Sequence, residues 1–273
     1  MCEETVISER RACWLVGVSR TVLRYEPKRN EGNEMLQAKI IDLAMVRRRF
    51  GYRRIHALIA REGIHANHKR IYRLYSEARL TVRRRKKRRG IEVMREPLVL
   101  PNAPNEVWSM DFVMDAMSTG RRLKCLTIVD DFTKESVDLV PDVSIPGAYV
   151  ARVLDRAAQF RGYPKAIRTD QGPEFTCKAL DQWAYQHGVQ LKLIEPGKPT
   201  QNAYIESFNG KFRDECLNEH WFTTLAQARA VISEWRWDYN ESRPHSALGY
   251  MTPAEFAAAS RTQPAATDSM DIG

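Results

Sequence analysis

Three acidic residues of this chain stand in local sequences suited to metal-assisted work on phosphodiesters. They are Asp111 in Trp108-Ser109-Met110-Asp111-Phe112, Asp170 in Arg168-Thr169-Asp170-Gln171-Gly172, and Glu206 in Asn202-Ala203-Tyr204-Ile205-Glu206-Ser207-Phe208-Asn209-Gly210. Hard divalent cations take oxygen ligands, and carboxylates supply both the oxygens and the compensating charge. Two such ions held together activate an attacking oxygen and stabilise the leaving one. Two aspartates and a glutamate therefore make a candidate site for two Mg²⁺ or Mn²⁺ ions. Spacing alone is weak, because 34 acidic residues in a chain of 273 put a pair at almost any separation. A carboxylate in a strand or at a helix start is ordinarily a solvated group or a cap. The weight falls on the flanking residues and on the elements that would carry them.

Those elements begin at Val107. Residues 107–113, 123–129 and 136–140 read as strands, with a hairpin turn at Gly120-Arg121-Arg122. Pro146 starts a helix to about Phe160, residues 166–168 are a short strand, 176–187 a helix and 190–194 a strand. Asp111 then lies mid-strand. Asp170 lies just past a strand end, where open α/β sheets place their sites. After the loop Pro196-Gly197-Lys198-Pro199, helices are expected over 203–217 and 225–239. On the first, Ile205, Phe208, Phe212 and Cys216 form one apolar stripe. Glu206 and Arg213 are seven residues apart, nearly in line and about 10 Å along the axis, with Asn209 between that line and the stripe. Lys192, Lys198 and Arg213 are candidates to grip phosphates. The rival acids Asp130 and Asp131 read as a turn into the third strand, and Asp115, Asp214 and Glu215 as exposed.

Residues 1–82 read as helical. Ser8 and Ser19 are candidate caps, for helices to Val16 and Tyr25, and Leu36, Ile40, Leu43 and Val46 recur at helical spacing. Tyr52–Arg61, a turn at Gly63, and a helix capped by Asn67 and running to Ala78 make a helix-turn-helix pattern. If the last is a recognition helix, Lys69, Arg70 and Arg73 face DNA; a plain helical bundle with a charged outer face is the alternative. Residues 1–100 carry 25 Lys and Arg against 11 Asp and Glu, whereas 101–273 carry 18 against 23. A basic third ahead of an acidic remainder suggests a nucleic-acid grip joined to a metal-handling domain. The run 83–89, which begins Arg83-Arg84-Arg85, is entirely basic and repels itself without a polyanion nearby. Residues 83–105, with Pro97, Pro101 and Pro104, form a linker to a core over 106–259, and 260–273 reads as a disordered tail. The five cysteines have no Cys-x-x-Cys pair, which argues against a zinc or disulfide framework. No apolar run reaches the ~18 residues of a membrane span, and no secretory signal is visible, so a cytoplasmic, nucleoid-associated protein is expected.

The stretch from Pro199 to Leu217 and Arg243-Pro244-His245-Ser246-Ala247-Leu248-Gly249-Tyr250 resemble the OrfB-type transposases of the insertion-sequence-three family, and the resemblance extends over about residues 8–257. It implies an α/β ribonuclease H-like catalytic core, a mixed five-stranded sheet with flanking helices, preceded by a small all-α helix-turn-helix-like domain. It also implies a metal-dependent Asp111/Asp170/Glu206 triad that nicks an element end and joins its 3′-hydroxyl to another strand. In that family a basic residue seven positions after the glutamate helps hold DNA, which Arg213 matches. A homo-multimer on DNA and an upstream-frame OrfA protein or fusion are the implied partners. His65 and His68 are followed by no Cys-x-x-Cys, so the zinc module of retroviral integrases is missing, which favours the bacterial family. The alternatives are a nuclease of the same fold that cuts without joining, and a repressor with an inert core.

Overall fold

Alternation along the first strand decides the architecture. The computed structural model describes residues 7–25, 31–82, 101–194 and 202–262; Arg83, Arg84, Arg85, Lys198 and most of the expected linker lie outside them. Strand β1 (Val107–Ala116) turns Trp108, Met110 and Phe112 to one side and Ser109, Asp111 and Val113 to the other. It pairs antiparallel with β2 (Arg122–Asp130), which pairs antiparallel with β3 (Ser136–Asp142). On its other flank it pairs parallel with β4 (Ala166–Thr169), and β4 with β5 (Gln190–Leu193). The sheet order is β3-β2-β1-β4-β5.

Each face is closed by two helices. The Trp108 face packs against α6 (Gly147–Arg161) and α7 (Lys178–His187), through Val150, Leu154, Leu180 and Trp183. The Val113 face packs against α8 (Ala203–Glu215) and α9 (Leu225–Glu241), through Ile205, Phe208, Phe212, Ile232 and Trp235. A sheet buried on both faces has near-continuous apolar strands, and β2 is one. The edge strand β3 is buried and its edge is covered: Arg236 donates to the Ser136 and Val137 carbonyls, and Asn240 exchanges hydrogen bonds with Ser136.

The N-terminal helices are α1 (Glu9–Val16), α2 (Arg20–Leu23), α3 (Glu31–Val46), α4 (Tyr52–Arg61) and α5 (His68–Glu77). Leu36, Ile40, Phe50, Ile55, Ile59, Ile71 and Leu74 give α3–α5 a core of their own. Asn67 caps α5 by accepting from the Lys69 amide at 2.9 Å. Helix α2 stops two residues short of the expected Tyr25.

Three expectations are corrected. A further helix, α10 (Pro253–Thr262), for which no element was expected, runs past residue 260, where a disordered tail was expected to begin. Glu215 is not exposed: its side chain is 9% accessible and accepts two hydrogen bonds from Arg243 and one from Arg54. And the basic N-terminal third spends part of its charge inside the molecule. Arg47 pairs with Asp238, Arg49 with Glu219, Arg54 with Glu215 and Arg61 with Glu255. These bonds dock the helical unit on the core, with Phe50 under the guanidinium groups of Arg54 and Arg243.

Candidate active site

Strand register brings the two aspartates abreast. In the parallel β1–β4 pair Ser109 stands opposite Arg168; two residues further on are Asp111, still within β1, and Asp170, one residue past the end of β4. Adjacent strands run about 4.8 Å apart, and side chains two residues apart point to the same face. Asp111 therefore faces α8 and α9, with Asp170 beside it just beyond the end of β4. Glu206 lies in the first turn of α8, exposed, above the same face. The helix cannot rotate Glu206 away, because Phe208 is buried edge-on against Trp235 and Tyr239.

The turn after Asp170 is pinned. Asp170 Oδ1 accepts from the Gly172 amide at 3.0 Å. Phe175 is 1% exposed and stacks on Phe112 with ring centres 4.8 Å apart. Lys124 sits 3.8 Å from the centre of the same Phe112 ring and pairs with Glu174. Gly147, at the start of α6, lets the turn come close: a Cβ there would lie 2.0 Å from Cys177 Sγ and 2.7 Å from the Glu174 carbonyl oxygen.

Asp111 is half-buried, and both of its carboxylate oxygens accept hydrogen bonds, Oδ1 from the Phe112 amide at 2.7 Å and Oδ2 from Asn209 Nδ2 at 2.8 Å. Its pKa is pushed up to about 6, first by burial; the negative charges of Asp170 and Glu206 raise it further, and the two hydrogen bonds oppose the rise. Asp111 thus lies within reach of the charges of both other carboxylates. Among the described residues no ion pair engages Asp111, Asp170 or Glu206, and no three acidic, histidine or cysteine side chains already enclose an ion-sized position. The donor set fits Mg²⁺ in type and charge: all oxygen, all anionic, and in need of a cation.

The other predicted residues separate. Lys192 is exposed on β5, opposite Arg168 in register. Arg213 is half-buried and donates to the Met114 carbonyl at 2.7 Å, tying the last turn of α8 to β1. Lys69 and Arg73 are exposed on α5, Arg73 beside Glu77 at 3.4 Å. Arg70 is turned inward to Asn33 Oδ1 at 2.8 Å. Asp130 accepts from the amides of Phe132, Thr133 and Asn105, and buried Asp131 pairs with Arg168 at 2.7 Å, so both hold the turn into β3. Sequence reasoning gave Asn209 no role; its one signal is its place a single turn after Glu206. Arg243 and His245, matched to the family without a role, are buried in the junction between the helical unit and the core.

A five-stranded mixed sheet, order β3-β2-β1-β4-β5, with two helices on each face places the chain in the ribonuclease H-like class of folds. Two models described as "Integrase core domain" match residues 101–199 and 187–253, and one described as "HTH-like domain" matches 31–88. A 31.7 kDa protein of insertion element IS407 from Burkholderia multivorans is 73% identical over 95% of this chain and 94% of its own length. The transposase for insertion sequence element IS904 from Lactococcus lactis is 27% identical over 76% of this chain and 87% of its own. A chain in the simian T-cell lymphotropic virus intasome shares the fold, at 16% identity and a TM-score of 0.55 over 82% of this chain and 76% of that one. The chain belongs to the OrfB-type transposases of the insertion-sequence-three family. It is a polynucleotidyl transferase that cleaves and joins DNA strands, and no helix among its described residues is long and apolar enough to cross a membrane.

Proposed function

We propose that Asp111, Asp170 and Glu206 are the catalytic carboxylates and hold two Mg²⁺ ions. What supports the reading is placement: the β1–β4 register sets Asp170 beside Asp111, and Asn209, one turn after Glu206 on α8, bonds the Asp111 carboxylate, whose proton affinity is raised first by burial and then by the charges of Asp170 and Glu206. Bound there, the ions supply an activated oxygen nucleophile and stabilise the leaving one. The chain's own residues do the rest. Asp111 enters from the centre of a buried sheet, where its position is fixed; Asp170 rides on a turn clamped by Phe175 and Lys124; Glu206 comes from the exposed first turn of α8, a helix that Phe208 anchors on Trp235 and Tyr239. The first strand scission leaves a 3′-hydroxyl, which then attacks a second phosphodiester, with no covalent enzyme intermediate.

Lys69 and Arg73 supply phosphate grip on α5, with Lys192 and Arg213 closer to the cleft. Arg213 can serve only by exchanging its bond to Met114 for one to a phosphate. Transfer of two element ends in concert calls for a multimer of this chain on DNA, with an upstream-frame OrfA protein or fusion as its further component.

The test incubates the protein with labelled element ends and Mg²⁺. Asp170→Asn and Glu206→Gln should each reduce both cleavage and joining by about a thousandfold, with end binding retained. Retained activity in either variant removes that residue from the triad. Cleaved products without joined strands from the native protein would make it a nuclease of the same fold.

A further inference from the structure

We propose that Asn209 and Thr127 form a positioning pair that fixes the Asp111 carboxylate for metal entry; the inference rests on Asp111 being a metal ligand. Asn209 lies on α8 one turn after Glu206, and Thr127 on β2 directly opposite Asp111 in the antiparallel register. Asn209 Nδ2 is 2.8 Å from Asp111 Oδ2, and Asn209 Oδ1 is 2.9 Å from Thr127 Oγ1. Thr127 Oγ1 also lies 3.0 Å from the Asp111 carbonyl oxygen, and is fully buried.

The chemistry of the three groups leaves one arrangement. An ionised carboxylate only accepts, so the amide group facing Asp111 must be NH₂. The asparagine oxygen then faces Thr127, whose single hydroxyl proton it can accept. The Asp111 carboxylate thus selects the flip of Asn209, Thr127 supports it from the other side, and Asn209 in turn holds the rotation of Asp111. With Oδ1 held by the Phe112 amide, both carboxylate oxygens are located before any ion arrives.

The choice of asparagine follows from charge. A lysine or arginine in its place would bind Asp111 and neutralise it, in competition with the metal. An aliphatic residue would leave a half-buried carboxylate free to turn among like charges. A neutral donor orients without cancelling, as outer partners of metal ligands do. The pair also joins α8 to the sheet at the level of the cleft, so the helix bearing Glu206 and the strand bearing Asp111 are held in register.

The experiment measures Mn²⁺ binding to the full chain, without DNA, by calorimetry. Asn209→Ala should weaken binding by about ten- to a hundredfold. Thr127→Val should weaken it less, and Thr127→Ser should bind nearly as the native protein does. The Asn209→Ala/Thr127→Val double variant should be no worse than Asn209→Ala alone, because both act through one chain of bonds. Metal-free binding to element ends should be unchanged in all four. Native-like Mn²⁺ affinity in Asn209→Ala, with Asp111→Asn unable to bind, would overturn this inference and leave the metal site standing. Native-like affinity in Asp111→Asn would overturn both.

Discussion

A carboxylate among carboxylates gains from a proton what it would otherwise gain from a cation. Asp111 has its pKa pushed up to about 6, against an unfolded value of about 3.9. The folded state therefore binds this proton more tightly than the unfolded one, and ionisation works against folding. The penalty is absent below about pH 4, grows as pH rises through about 6, and is complete above that. Asp111→Asn should stabilise the metal-free protein at pH 7.5 by roughly 1–3 kcal/mol while abolishing strand transfer. Urea unfolding in a chelator at several pH values checks this; a gain that does not shrink toward pH 4 would have some origin other than ionisation. At this scale the three acids stand out in the sequence because their immediate neighbours are distinctive. Glu215 was misread because its partner Arg243 is 28 residues away, and no local pattern names a distant partner. Asn209 was legible as a position but not as a bond, since its partners come from two other strands.

Elements were easier to read than their junctions. The alternation of Trp108, Met110 and Phe112 with Ser109 and Asp111 in β1, and the stripe on α8, follow from which side of each element meets an apolar core, and that leaves its period in the sequence. Helix α10 was missed although it carries a start signal: Thr252 and Glu255 exchange backbone-to-side-chain hydrogen bonds as a capping box, with Pro253 at the first helical position. Its alanines give no stripe, and it is fastened instead by Phe256 on Phe132, 5.4 Å between ring centres. Asp170 was expected just past a strand end, but what clamps the turn after it could not be read. Gly147→Ala tests that clamp. The new methyl would meet Cys177 Sγ at 2.0 Å and the Glu174 carbonyl at 2.7 Å, so the turn must move. A cost of about 1–3 kcal/mol is expected, with a larger fall in strand transfer than in stability because Asp170 moves with the turn. Adding Cys177→Ala removes the sulfur but not the carbonyl, so it should restore only part of both. Full restoration would show that the backbone of the turn is not tight.

Across the whole molecule, charge composition misleads when the two halves can pair with each other. The N-terminal third has a net charge of +14 and the rest −5, which by itself suggests DNA, yet Arg47, Arg49, Arg54 and Arg61 all point at acids of the core. Their weights differ by burial. Arg61–Glu255 is half exposed on both sides, and such pairs contribute up to about 1 kcal/mol and fade in salt. Arg243 is 2% exposed and holds Glu215 by both of its oxygens at 2.6 Å. Burial raises the Glu215 pKa, and the hydrogen bonds and charge of Arg243, with the charge of Arg54, more than reverse it. Arg243→Ala leaves that carboxylate buried with only Arg54, so a loss of roughly 3–5 kcal/mol is expected, against at most about 1 kcal/mol for Arg61→Ala. In 1 M NaCl the Arg61 effect should vanish and the Arg243 effect should remain, because a buried pair is screened far less. Urea unfolding of both variants at two salt concentrations separates them. Since Glu215 closes the helix that Glu206 opens, Arg243→Ala should also loosen the first turn of α8 and weaken Mn²⁺ binding. If Arg243→Ala costs no more than Arg61→Ala, burial adds nothing to the Arg243–Glu215 pair, and the junction around Phe50 does not depend on it.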